Sequence, residues 1–275
     1  MKKFLYIIFA GLLLSACAED FLEKQPLDKM SEADIFSNAA LATAYANSFY
    51  TILEDTFTEA NVGSISDESW YNFGGSSTRI VASTFYTPDT FQYFNESDNG
   101  GLHNTRITHL NIWRNAYKGI RYINDFLVKM EESPIADADK KSLMGEAYFF
   151  RAWLYTNLIQ RYGGVPIIKD VYGLGDEYNA TRATFDECVD FILADLKLAK
   201  ELLPEYDKAV LGRANKDIAM AVEARLTLIA ASAWFNDESD PTPSNPLTKG
   251  AYSKTKWDRA LQANKAFLDQ CGPHY

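Results

Sequence analysis

The sequence predicts a mainly α protein: a solenoid of helix pairs carrying one long irregular, loop-rich insertion. Three observations predict it. Apolar residues recur at the 3.6-residue helical period through most of the chain from about residue 105 onward. Helix-stopping devices divide that pattern at Ser133-Pro134, at Tyr162-Gly163-Gly164-Val165-Pro166 and at Pro204. Between about residues 61 and 104 the period vanishes, and Gly, Ser, Thr, Asn and aromatic residues take over.

At the N-terminus, Lys2 and Lys3 precede an apolar run from Phe4 to Leu14, and small residues then lead to Cys17. The run is too short to span a bilayer comfortably and suits a secretory signal. Leu14-Ser15-Ala16-Cys17 looks like a bacterial lipobox, so residues 1–16 are expected to be a lipoprotein signal peptide and Cys17 the lipidated residue. Several acyl chains on one residue anchor a protein stably, since each buried methylene contributes about 0.8 kcal/mol. Residues 17–30, acidic and polar with Pro26 among them, read as a leash to a body spanning 31–275.

Ser31-Glu32-Ala33-Asp34 has the pattern of a helix start with Ser31 as N-cap, and the helix is expected to run to about Leu53 with a break near Ser37-Asn38. After the insertion, Ile107, Leu110, Trp113, Tyr117, Ile120, Ile123 and Leu127 mark the next helix. A helix from about Asp137 to Tyr162 places Leu143, Ala147, Phe150, Leu154 and Leu158 on one face, and Met144, Tyr148 and Tyr155 widen that face. A helix apolar on more than one side belongs between neighbours. Thr184 to Leu203 carries Phe185, Cys188, Val189, Ile192 and Leu196, and Asn215 to Phe235 carries Ile218, Val222, Leu226 and Ile229. A Pro-rich loop, Asp237 to Pro246, leads to a last helix from about Lys254 to Gln270, with Trp257, Leu261 and Phe267-Leu268 as its apolar face.

No crisp 34-residue repeat is present, so a tetratricopeptide-like (TPR-like) reading rests on the rhythm of helix pairs. Two pairs are complete and the last helix lacks a partner after it. A solenoid needs a cap on such a face, so the sequence is expected to be the N-terminal part of a longer protein.

Composition narrows the function. The formal net charge is −10, and it becomes −12 without Lys2 and Lys3. With no basic patch, nucleic acid and anionic lipid surfaces are poor partners. The longest apolar helix pattern, Asp217 to Phe235, carries Glu223 and Arg225 at its centre and does not suit lipid. Cys188 shares a helical stripe with Phe185, Ile192 and Leu196, which predicts a buried thiol; a disulfide to Cys271 is the other reading. No Cys or His spacing fits zinc, and Asp237-Glu238-Ser239-Asp240 lacks the spacing of an EF-hand. Gly163-Gly164 belongs to neither phosphate-binding glycine motif. No metal or cofactor is expected.

Four groups of residues resemble the SusD/RagB family of outer-membrane lipoproteins. Cys17 is followed by Phe21-Leu22-Glu23-Lys24-Gln25-Pro26, similar to the family's segment after the lipobox. Trp113, Tyr117, Gly119-Ile120 and Asn124 resemble one family helix. Glu146-Ala147, Phe150-Arg151-Ala152, Tyr155 and Tyr162-Gly163-Gly164-Val165-Pro166 resemble its most specific motif. Gly212-Arg213-Ala214, with Ala219, Ala221 and Ala224-Arg225-Leu226, resembles a later helix. The resemblance implies a TPR-like scaffold, incomplete at this length. It also implies a surface lipoprotein that captures oligosaccharides and hands them to a TonB-dependent SusC-like transporter. Some RagB-like members are thought to handle peptides, so a peptide-binding uptake subunit is an alternative. A TPR-like adaptor that binds only protein is another.

A sugar site needs exposed aromatic faces with hydrogen-bonding side chains beside them. The insertion has that composition, in Trp70-Tyr71-Asn72-Phe73 and in Phe91-Gln92-Tyr93-Phe94-Asn95 with Asp98 and Asn99. Tyr93, Asn95, Trp70, Phe91 and Asp98 are therefore the candidate ligand-binding residues. For each of them, packing of the loop onto the helices is the competing reading. Tyr148, Phe149, Phe150, Trp153 and Tyr155 lie at helical spacing and read as core, with Arg151 as a buried ion-pair partner.

A glycoside hydrolase would need two paired carboxylates. Asp67, Glu68, Asp89, Glu96 and Asp98 are available in the insertion, but acidic residues are abundant throughout the chain. The histidines, His103, His109 and His274, fall in no catalytic pattern. The expectation is a binding protein, not an enzyme.

Overall fold

The computed structural model describes residues 32–53, 112–173, 175–177 and 179–274. The signal segment, Cys17, the leash and the insertion, with Tyr93, Asn95, Trp70, Phe91 and Asp98, lie outside the described residues.

The described chain is helical. Helices α1 (Glu32–Ser37) and α2 (Ala39–Asn47) are followed by a 3-10 turn, Ser48–Ile52. Then come α3 (Trp113–Glu131), α4 (Asp137–Tyr162), α5 (Phe185–Leu202), α6 (Lys216–Ala231) and α7 (Thr255–Cys271). Side chains near the expected boundaries set the starts. Asn38 breaks α1 from α2 and caps the latter, accepting from the amides of Ala40 (2.9 Å) and Leu41 (3.3 Å). Thr184 and Glu187 form a reciprocal capping box at α5. Asn215 caps α6 through the Ile218 amide.

Each of the helices α3 to α7 packs against its neighbours in chain order, and α2 rests on α4. This is the geometry of stacked helix pairs. Helix α4 lies between α3 and α5, and its residues Ala147, Phe150, Tyr155, Leu158 and Ile159 are fully buried. Phe126 gathers Phe36, Tyr45 and Phe49 around it at ring distances of 5.7, 5.5 and 5.2 Å, which docks α1, α2 and the 3-10 turn on the α3–α4 pair. Among the described residues no helix is long and apolar enough to cross a membrane.

Two expectations are corrected. Helix α6 ends at Ala231, not Phe235. Ser232 adopts an extended ψ of 153°, and its carbonyl accepts the amides of Phe235 and Asn236 in a tight turn. The reason is Phe235, which leaves the helix to stack flat on Phe185 at 4.5 Å. Second, Ile218 is exposed, because the buried ridge of α6 runs through Ala219, Val222 and Leu226. The apolar face expected on α7 is open among the described residues, with Trp257, Leu261 and Leu268 exposed, while Ala260 and Cys271 are buried. Asn264 donates to the Ala224 carbonyl at 3.0 Å, so small residues set the approach of α7 to α6. Cys188 and Cys271 are both free and buried, in keeping with the buried-thiol reading of Cys188.

Candidate functional site

The described residues at both ends of the insertion show what it leaves from and returns to. At the leaving end, Tyr50 packs edge-on against Phe150 at 4.7 Å, and its hydroxyl accepts the Ala214 amide at 2.8 Å. Burial pushes the Tyr50 hydroxyl up to about 12. At the returning end, Trp113 meets Tyr162 edge-on at 5.2 Å. Phe150 and Tyr162 are a little over three turns apart on α4, so the anchors stand about 18 Å apart along its axis. About six extended residues would bridge that gap. Residues 54–111 exceed this many times over, so bridging does not set their length.

Two polar networks adjoin α4, the first buried and the second reaching the surface. In the first, Arg151 grips Asp195 with Nε (2.7 Å) and Nη2 (2.8 Å), and its Nη1 donates to Asn124 Oδ1 at 2.8 Å. Asn124 passes the link on, donating to the Ile168 carbonyl at 2.9 Å. The guanidinium also lies over the rings of Tyr148 and Phe191, at 5.4 and 5.3 Å. Burial pushes the Asp195 carboxyl up, and the Arg151 bonds pull against it. In the second network, Arg213 holds Glu146 with two hydrogen bonds and Asn47 with a third.

The corner after α4 joins these parts. Gly163 takes a φ of 71°, which glycine alone adopts at little cost. The Gly164 amide donates to the Leu247 carbonyl at 2.6 Å, and the Val165 carbonyl accepts the Ala183 amide. Added Cβ atoms at Gly163 and Gly164 would each stand 2.1 Å from a backbone oxygen, of Leu247 and Ala183 respectively. The pair therefore ends the helix and also admits two other backbone segments. Tyr117 donates its hydroxyl proton to the Pro166 carbonyl at 2.7 Å, and the buried Tyr155 hydroxyl accepts the Ile168 amide at 2.7 Å.

The conspicuous sequence residues thus bind one another. Trp113, Tyr117, Asn124, Glu146, Arg151, Tyr155, the Gly-Gly corner and Arg213 form a scaffold, and the buried ion-pair role expected of Arg151 is what the structure shows. The five candidate ligand residues lie outside the described residues. Sequence reading gave Arg213 no partner; its bond to Glu146 spans 67 positions, and no local pattern carries it. Among the described residues no group of His, Cys, Asp or Glu is placed to hold a metal ion.

Helices packed against one another in chain order, with residues 54–111 between the second and the third, define the class of helical fold. The chain belongs to the SusD-like family described as starch-binding and associating with the outer membrane, whose model matches residues 20–228. A SusD-like protein of Bacteroides ovatus is 24% identical over 250 residues, covering 87% of this chain and 42% of that one. One from Formosa agariphila is 27% identical over 216 residues, covering 74% of this chain and 39% of its own. Among solved structures, a SusD-like protein from Bacteroides fragilis superposes with a TM-score of 0.60 at 23% identity, over 90% of this chain and 41% of that chain. A SusD homolog from Bacteroides thetaiotaomicron gives 0.61 at 18% identity, over 87% and 43%. The chain spans about two-fifths of the length of the curated relatives it matches.

Proposed function

We propose that this chain is a lipid-anchored surface protein, tethered through Cys17, that captures oligosaccharides at the outer membrane and delivers them to a TonB-dependent SusC-like transporter. The observation that carries the reading is the family match over residues 20–228, whose description joins starch binding to the outer membrane. The composition of the insertion supports it: Trp70 and Phe91-Gln92-Tyr93-Phe94-Asn95, with Asp98, put aromatic faces next to amide and carboxylate groups. Capture is non-covalent and no bond is made or broken. Apolar faces of the sugar rings stack on the aromatics, and the side chains of Asn95 and Asp98 take the hydroxyls. The helical scaffold contributes rigidity at both ends of the insertion, which lowers the ordering cost of binding.

The test is a pair of truncations. Tyr93→Ala and Trp70→Ala weaken polysaccharide binding by about 1–3 kcal/mol each, as anchor residues do. Unchanged affinity in both variants, with far-UV circular dichroism intact, removes the site from these residues.

A further inference from the structure

No further inference is drawn: the strongest candidate, the open apolar face of α7 formed by Trp257, Leu261 and Leu268, carries nothing because nothing among the described residues shows what covers it.

Discussion

Arg213 and Glu146 hold each other through two hydrogen bonds, Nε to Oε1 at 2.8 Å and Nη2 to Oε2 at 2.6 Å. Glu146 sits in the middle of the protein at 1% exposure, and burial pushes its carboxyl up while Arg213 draws it down. Arg213 also reaches Asn47, and its guanidinium lies over the Tyr50 ring at 5.5 Å. One side chain thus ties α4, the loop before α6 and the segment from which the insertion departs.

Arg213→Ala strands the Glu146 carboxylate without its partner. Breaking a buried pair from one side costs about 3–5 kcal/mol. Urea denaturation should show that loss. Arg213→Ala combined with Glu146→Leu should recover part of it, because no buried charge remains. A double variant less stable than Arg213→Ala by the full cost of a second core substitution would contradict the pairing.

The Gly-Gly corner gives a steric prediction. In Gly164→Ala, the new methyl would stand 2.1 Å from the Ala183 carbonyl oxygen and 2.9 Å from the Thr184 carbonyl carbon. Both are backbone, so the segment leading into α5 must move, and overpacking of this kind costs about 3 kcal/mol. A thermal melt should show the drop. A transition unchanged from the wild type would mean that these segments do not approach so closely.

The loop between α6 and α7 should respond to acid. The Ser239 hydroxyl and amide and the Lys249 ammonium hold the Asp237 carboxyl down at about 2. A depressed acid stabilises the ordered loop above the ordinary carboxylate pKa of about 3.9, and that contribution fades as the pH falls toward the folded value. Amide exchange at Ser239 and Gly250 should therefore accelerate between about pH 4 and pH 2, beyond the intrinsic pH dependence of exchange. Asp237→Asn should remove this pH dependence. Protection that stays constant through the window would contradict the assignment.

The thiols should be silent in the folded protein. Cys188 and Cys271 are fully buried, and burial raises both, Cys271 to about 11. Iodoacetamide at neutral pH should label neither until denaturant is added. Rapid labelling of Cys271 in native protein would place the C-terminal end of α7 in solvent.

What the sequence makes legible follows from where the information is local. The limits of α4, the break at Asn38 and the start of α5 at Thr184 are each written within a few residues, and each stands where the pattern put it. The burial of Phe150, Tyr155 and Ile192 follows from helical period alone. The face of α7 does not, because periodicity identifies an apolar stripe but not which side the neighbour takes. Small Ala260 admits α6 more closely than Trp257 or Leu261 allows. The end of α6 is hidden for a related reason: Phe235 fits the helical pattern but stacks on Phe185 instead. Arg151 announced itself as a charge on an apolar helix, whereas the exposure of Trp234 gave no signal, since only the folded turn shows that it faces solvent. Tyr93, Asn95, Trp70, Phe91 and Asp98 rest on composition and resemblance, and they remain proposals for the ligand site.

The most direct test of glycan capture is a glycan-array measurement on the full chain, with the spotted set covering starch, other plant glucans, pectins and host glycans. The account predicts selective binding to one polysaccharide class, reduced in the Tyr93→Ala and Trp70→Ala variants. A folded chain that binds no glycan, but is retained by immobilised peptides or by protein alone, would contradict it.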